Sequence, residues 1–443
     1  MTDEIRYANG FAMEHSFTIS FASSSGQRSS QITLTLLALL SVCIAPTVMS
    51  QQPDTGNEMP PQFHFSGFAT INYLGYDWQT DPLRRNAIEL EHAGFELLWL
   101  PNNRLTFDFE VEFEGGGTGT TLEFDRFEEF GEYEIEIEKG GSIEIEELFA
   151  AVEFNQWLNV RLGHFAVPIG FLAERDQPLD YVTVRRSPME DALLPTVWDE
   201  TGIAVFGAVH PFEYELLVVN GLDATGFSSS NWIKRGHQKR FEKINAENLA
   251  LAGRLIYHPH ETTAIGVSGY FGNTADNRPK PDLTVPAHVT VADIDMDVAV
   301  DAATFRAMIL YGTLENADAV SRANKSLSNN LNVKRTPVGS AVLGYFAEAS
   351  YNVLPLLTGE EPGHEDALSE VLIFARYDYY DSMFRVSGEV FDNPRWERRE
   401  ITAGLNLRFF QTSVLKAEYS HRLLGTSEKN VENTFAIGMG IQF

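Results

Sequence analysis

The chain has 443 residues, of which 44% are hydrophobic, and a formal net charge of −29 at pH 7. This excess of acidic residues excludes a nucleic-acid-binding protein, because phosphates are bound by Lys and Arg. No apolar run of about eighteen residues or more follows residue 60, so a bundle of transmembrane helices is excluded as well.

One strong apolar run lies near the start of the chain, at residues 32–45. It is too short to span a bilayer and is typical of the core of a secretory signal peptide. We expect residues 1–50 to be an N-terminal extension and signal peptide, and residues 51–62 to be a linker. The only cysteine, Cys43, lies inside the run. A mature chain without cysteine suits an oxidising compartment in which disulfides are not needed.

Period-two alternation of apolar and polar residues begins after the linker and continues to the last residue. Residues 105–114 place five apolar side chains on one face and a threonine and four acids on the other, which predicts a two-faced β-strand. Residues 432–443 alternate in the same way and end on Phe443. We predict sixteen strands, at 63–77, 87–100, 103–114, 143–154, 157–164, 199–209, 212–220, 248–258, 261–271, 290–300, 303–313, 342–352, 369–380, 397–409, 412–422 and 432–443.

The connections alternate between short turns and long loops. Short turns lie at 155–156, 210–211, 259–260, 301–302 and 410–411, and long loops at 115–142, 165–198, 221–247, 272–289, 314–341 and 381–396. Only residues 353–368 place a long segment where a short turn is expected. This asymmetry is typical of bacterial outer-membrane barrels, in which closure removes unpaired strand edges. We therefore predict an all-β fold, a closed antiparallel transmembrane β-barrel over residues 63–443.

The long loop at residues 165–198, which is the third when the connection at 78–86 is counted as the first, contains four prolines and no helical period. A structureless loop of this length in a compact domain is usually functional. A barrel with a wide lumen allows such a loop to fold inward and narrow the pore. We expect Arg175, Arg185 and Arg186, which lie on this loop, to form part of the basic side of the constriction.

Residues 108–153 contain sixteen Asp and Glu but only Arg126 and Lys139 as basic residues. Within this stretch, residues 131–147 read GEYEIEIEKGGSIEIEE and predict a Glu/Ile hairpin with a Gly-Gly turn, extending beyond the membrane. Such carboxylates could bind divalent cations, but the ligand spacing of a Ca²⁺ loop is absent. We expect a solvated, cation-attracting rim and no metal site.

Several segments carry a family resemblance. They are RLGHFAVPIGFLAERDQP followed by WDETGIAVFG, then YFAEASYNVLPLLTGEE, VLIFARYDYYD and the closing FAIGMGIQF. In order and spacing they resemble the phosphate-selective porin O and P family of Gram-negative outer-membrane channels, over about residues 60–443. The resemblance implies a sixteen-stranded, usually trimeric barrel. It also implies that the third long loop enters the lumen and that basic lumen residues determine selectivity.

If the apolar face of each strand meets lipid, the other face lines the lumen. This parity predicts an acidic wall on the early strands facing a basic wall across the channel. The predicted pore-lining residues are Arg161, Arg175, Arg185, Arg186, Arg254, Arg306, Arg376, Arg408, Lys416, Arg422, Asp108, Glu110 and Glu112. Charges in a narrow pore select the ions that pass. Alternatively, these charges pair with one another across the lumen.

No H-E-x-x-H, G-x-S-x-G or P-loop motif occurs, so we expect a non-enzymatic protein without a cofactor. We predict a porin of the bacterial outer membrane. It would be a passive diffusion channel for small hydrophilic solutes and ions, including anions such as phosphate, surrounded by lipid and assembled as a homotrimer. Two alternatives stay open: a barrel-anchored adhesin or receptor acting through long acidic loops, and a soluble periplasmic all-β binding protein.

Overall fold

Sixteen strands form one closed antiparallel β-barrel, as the alternation predicts. The computed structural model describes residues 60–117, 121–125, 134–138, 141–171, 173, 175–195, 197–238, 244–278, 280–327, 336–359 and 367–443, with only the backbone in 121–125 and 134–138. The predicted signal peptide and most of the predicted linker lie outside these ranges. Within them, no helix has the length and apolar character needed to cross a membrane.

The strands follow one another around the barrel in chain order, apart from one excursion. They are Gln62–Trp78 (β1), Ala87–Asn102 (β2), Leu105–Glu114 (β3), Thr121–Asp125 (β4), Glu134–Glu138 (β5), Ser142–Asn155 (β6), Leu158–Ala166 (β7), Asp199–Val209 (β8), Phe212–Asn220 (β9), Leu249–His260 (β10), Thr263–Asn273 (β11), His288–Val300 (β12), Ala303–Leu314 (β13), Ala341–Asn352 (β14), Leu368–Arg385 (β15), Glu397–Phe409 (β16), Ser413–Leu424 (β17) and Val431–Gln442 (β18). Strands β4 and β5 form a separate two-stranded sheet, and β3 pairs with β6. The predicted fold class is confirmed.

The first and last strands close the barrel. Strand β1 pairs with β18 from Phe68 opposite Gln442 to Trp78 opposite Glu432. The last residue, Phe443, donates to and accepts from the backbone of Gly67 (2.9 and 3.0 Å). Closure therefore pairs both strand edges, which is the condition for a sheet to stand in a membrane.

The outward face of the barrel is apolar and exposed. On β18, Phe435, Ile437 and Met439 point outward, while Ala436 and Gly438 between them are buried. Exposed aromatic side chains also lie on or beside the short turns, at Phe63, Trp99, Phe154, Trp157, Phe212, Tyr257, Phe305, Tyr351, Phe410 and Phe443. Aromatic girdles of this kind flank the apolar band of outer-membrane barrels.

One local prediction is corrected. The Glu/Ile hairpin around the Gly-Gly turn does not form, because Glu134–Glu138 pairs with Thr121–Asp125 and Ser142–Asn155 pairs with β3. Alternation gives each strand its two faces but does not identify the pairing partner. The long segment predicted at 353–368 is confirmed, since β14 ends at Asn352 and β15 begins at Leu368; it starts with a short helix, Leu354–Thr358, and residues 360–366 lie outside the described ranges.

Helices and loops pack inside one part of the barrel. The helix Pro188–Leu193 (α1) lies between β7 and β8, and Ala317–Lys325 (α2) lies between β13 and β14. Buried apolar side chains of these connections pack against inward-facing side chains of strands β7 to β15. We call this cluster the interior core; it includes Phe165, Val167, Phe171, Met189, Leu193, Trp198, Leu217, Trp232, Tyr270, Val291, Leu310, Val320, Phe346 and Tyr380. The inner face of these strands therefore carries apolar side chains as well as the predicted charged ones.

Candidate functional site

We call the connection between β7 and β8, residues 167–198, the inward segment. Side chains of β13, β16 and β17 bind its backbone carbonyl groups. The hydrogen bonds run from Arg408 to Leu179 (2.7 Å), from Arg306 to Asp180 (2.6 Å), from Lys416 to Tyr181 (2.7 Å) and Thr183 (2.9 Å), and from Asn406 to Val182 (2.8 Å). These bonds fasten the middle of the inward segment to the wall formed by the later strands.

Glycines on the wall make room for this attachment. Gly438 of β18 lies so close to the inward segment that a Cβ atom there would stand 2.8 Å from Val184 Cγ1. At Gly440 a Cβ atom would overlap Pro178. Both glycines belong to the closing FAIGMGIQF segment, where they alternate with the outward apolar side chains. Their small size is thus required on the inner face, where side chains of the inward segment approach the sheet.

The same segment also binds the early strands. Arg186 Nη2 lies 2.7 Å from His92 Nδ1 on β2 and 3.5 Å from Glu112 Oε1 on β3. It also binds Asp176 within the segment, at 3.3 Å. Arg186, His92 and Glu112 are all buried. Burial raises the pKa of the Asp176 carboxyl, and the Arg186 guanidinium opposes this rise.

The inward segment joins β7 to β8, yet side chains on the inner faces of β2 and β3 and of β13, β16 and β17 contact it, which places it inside the barrel. A further contact holds the residue that precedes α1: Arg376 of β15 donates to Ser187 Oγ (2.5 Å). Arg175, nearer the start of the segment, binds Asp297 of β12 (2.5 Å). The contacts named here hold the segment to seven of the sixteen strands, namely β2, β3, β12, β13, β15, β16 and β17.

The predicted basic residues are brought to the inner face or onto the inward segment, but they do not form a basic wall. Nine of them pair with acids: Arg161 with Glu215 (3.5 Å), Arg175 with Asp297 (2.5 Å), Arg185 with Glu89 (3.2 Å), Arg186 with Asp176 (3.3 Å), Arg254 with Asp295 (2.8 Å), Arg306 with Asp297 (3.4 Å), Arg376 with Asp378 (2.8 Å), Arg408 with Glu370 (3.1 Å) and Arg422 with Glu432 (2.5 Å). Lys416 binds the two carbonyl groups instead. Charges with restricted access to water favour such partners, and this pairing is the alternative that the sequence left open.

Sequence reasoning missed the acids that neutralise these arginines. Asp293, Asp295 and Asp297 alternate along β12, and Glu348 and Asp378 lie beside Arg376. Each lies at an alternate strand position that faces the lumen when the apolar residues face outward. The sequence therefore contained the information needed to find these acids. The pattern DIDMD at residues 293–297 is the clearest case.

The predicted acidic residues lie on the inner face of β3. Asp108 and Glu112 are buried, and Glu110 between them is partly exposed. Carboxylate oxygens of Glu112, Glu114 and Glu146 lie within 4.8 Å of one another, close enough to share a cation. Because Glu112 already binds Arg186 and His92, we assign no metal to this group.

No family model matches the sequence. A protein of Aquifex aeolicus (strain VF5), described as uncharacterized, is 24% identical over 289 residues, which are 64% of this chain and 62% of that protein. The matched part thus spans less than two thirds of that relative's length.

Solved structures show the same architecture at low sequence identity. An anion-selective porin from Comamonas acidovorans matches with a TM-score of 0.52 and 10% identity, over 86% of this chain and 100% of the porin. The outer membrane channel DcaP of Acinetobacter baumannii matches with 0.52 and 10%, over 87% and 98%. OmpT of Vibrio cholerae, in a trimer form, matches with 0.50 and 11%, over 87% and 100%. The chain has the barrel fold of Gram-negative outer-membrane porins.

Proposed function

We propose that the protein is a porin of the bacterial outer membrane, a passive diffusion channel for small hydrophilic solutes and ions. The observation that carries the proposal is a closed barrel, apolar outside, whose lumen contains a segment fastened to the wall by charged side chains. Such a segment narrows the lumen without needing to move, and the charges beside it act on permeating ions.

The ion preference follows from the charges that remain after pairing. The resemblance to phosphate-selective porins implies preference for anions such as phosphate, drawn by basic lumen residues. In this chain those basic residues bind acids or backbone carbonyl groups, so little positive charge is left for a permeating anion. Among the predicted basic residues, Arg185 retains the most access to water, with a side chain that is 52% exposed.

A homotrimer embedded in outer-membrane lipid is part of the same proposal. The exposed apolar band and its aromatic residues need a non-aqueous surrounding. The porin-like barrel fold, which Vibrio cholerae OmpT presents in a trimer form, supports assembly through this outer face. Cross-linking of the detergent-extracted protein, followed by size measurement on unboiled gels, tests the trimer directly.

Single-channel recording in a planar bilayer tests the channel. We expect steady unitary currents from protein that shows the mobility shift of a folded barrel on unboiled gels. Replacing Arg161 and Arg185 by Glu tests their place in the constriction, because the reversal potential in a salt gradient should move towards cations. An unchanged potential would remove both residues from the selectivity element.

The interior core favours one alternative, a barrel-anchored adhesin or receptor that acts through its outer loops. Apolar packing fills part of the lumen beside strands β7 to β15, as a barrel without a channel function would allow. Folded protein that gives no current would support this alternative against the porin.

A further inference from the structure

Arginine side chains and aromatic rings alternate around the long-loop end of the barrel, from the start of β16 across β17 to the end of β1. Each guanidinium group lies over at least one ring, with its carbon 4.2–5.6 Å from the ring centre. We call these side chains the arginine–aromatic cluster; it consists of Tyr76, Trp78, Arg84, Tyr380, Arg395, Trp396, Arg398 and Arg422. A ring attracts the charge of a guanidinium group above it and orients the plane of that group.

The arginine–aromatic cluster faces the lumen. On β16, Arg398 lies directly opposite Tyr380 of β15, whose buried side chain belongs to the interior core. Arg399, the next residue, points outward with a side chain that is 58% exposed. On β1, Trp78 lies opposite Glu432, an inner-face residue of β18. Arg398 and Trp78 are themselves partly exposed, so water in the lumen reaches the cluster.

Arg398 differs from the paired arginines of the lumen. Across the described ranges, its guanidinium group contacts the Trp396 and Tyr380 rings but forms no ion pair and no side-chain hydrogen bond. Glu432, whose charge also acts on Arg398, binds Arg422 instead (2.5 Å). The positive charge of Arg422 opposes that of Arg398, and like charges with restricted access to water repel one another. The position of Arg398 therefore favours an anion from solution.

The lumen beside β9 to β14 is covered at the long-loop end, because connections between these strands pack into the interior core. Trp232, between β9 and β10, lies so close to β13 that a Cβ atom at Gly312 would overlap its ring. Asn324 of α2 donates to the backbone carbonyl group of Ala224 (3.0 Å), which links the connection β13–β14 to the connection β9–β10. A solute that enters from the long-loop end is thereby directed to the side of β15 to β1, where the arginine–aromatic cluster lies.

The chemistry of the cluster suits a carboxylate that is joined to an aromatic ring. A guanidinium group stacked on a ring keeps its edge N–H groups available to an acceptor in its plane, and a carboxylate accepts two such hydrogen bonds in parallel. The neighbouring rings add an apolar surface that favours a flat aromatic group. We infer that the arginine–aromatic cluster is an entry site for small aromatic carboxylates and that Arg398 binds the carboxylate. Passage of the solute rests on the proposed channel function, whereas its binding does not.

The test is calorimetric titration of benzoate and of acetate into the folded, detergent-extracted protein. We expect the wild type to bind benzoate about fivefold more tightly than acetate, because only benzoate can pack against the rings. Arg398→Gln should weaken benzoate binding about tenfold or more, since it removes the charged donors. Arg399→Gln is the matched control, because Arg399 is the adjacent arginine on the outward face of the same strand, and its affinity for benzoate should equal that of the wild type.

Three results would overturn the inference. They are folded wild-type protein that binds no benzoate, equal affinities of the wild type for benzoate and acetate, and an unchanged benzoate affinity in Arg398→Gln. The mobility shift on unboiled gels identifies a misfolded variant, and the comparison of the two solutes in the wild type needs no variant. In a planar bilayer, benzoate should interrupt the KCl current of the wild type. If protein that binds benzoate carries no current, the proposed channel function fails while the binding site stands.

Discussion

Lys416 is the strongest single anchor of the inward segment, and its removal should loosen that segment. The side chain is 3% exposed. Its ammonium group donates to Tyr181 (2.7 Å) and Thr183 (2.9 Å) and lies 3.8 Å from the centre of the Tyr181 ring. Hydrogen bonds that involve a charged group stabilise by about 1.5–3 kcal/mol each. Two of them give roughly 3–6 kcal/mol of local stabilisation, without the ring contact.

The variant Lys416→Met keeps the length of the stem and removes the donors. A loss of about 3 kcal/mol raises the population of the detached segment by roughly a hundredfold. Asn406, Arg306 and Arg408 still donate to neighbouring carbonyl groups. We therefore expect the inward segment to detach transiently from the wall and not to leave it completely. Single-channel currents should therefore become noisier, with excursions to higher conductance. Trypsin should also cleave more rapidly after Arg185 and Arg186 in the folded barrel.

Lys280→Met is the control for the loss of one positive charge, since Lys280 is exposed in a loop between β11 and β12. It should leave both the current noise and the trypsin resistance unchanged. If Lys416→Met behaves like this control, the carbonyl groups are not held by Lys416 and the reasoning fails.

Three further changes test other parts of the molecule. Gly440→Val should displace Pro178 and destabilise the barrel by about 1–3 kcal/mol in urea titrations; unchanged stability would contradict the close approach. Trp232→Ala empties the space beside Gly312 in the interior core and should cost about 3–5 kcal/mol, measured in the same way. The raised pKa of Asp176 means that the folded state binds this proton more tightly, so its stabilisation is present at low pH and lost as pH rises through that pKa. Asp176→Asn should flatten the pH dependence of the thermal transition above the ordinary pKa of an aspartate, and an unflattened curve would argue against the raised pKa of this carboxyl.

The barrel was predictable because one physical condition acts on every strand. Outward positions must be apolar to meet lipid, so alternation in stretches such as 105–114 and 432–443 fixes strand faces and approximate ends. The order of the strands followed from the alternation of short turns with long loops. Pairing within the acidic stretch was not predictable, because Glu134–Glu138 and Ser142–Asn155 carry the same Glu/Ile pattern.

The candidate site was predictable only in part. The length of the inward segment indicated a constriction. The wall side chains that hold it donate to backbone carbonyl groups, which every residue has, so the sequence does not reveal these contacts. The interior core did leave a trace. At residues 215–220 and 288–292, apolar side chains occupy both parities, and a strand that is apolar on both faces is covered on both.

The inward segment also constrains how the chain reaches its final form. The inward segment precedes β8 in the chain. Lys416, which donates to the Tyr181 carbonyl group, lies 235 residues after Tyr181. Contacts of such sequence separation form late and slow the folding of the chain. Until β16 and β17 arrive, the carbonyl groups of Leu179, Tyr181, Val182 and Thr183 lack these donors. Closure of the barrel between β1 and β18 and ordering of the inward segment are therefore expected to occur as one cooperative event.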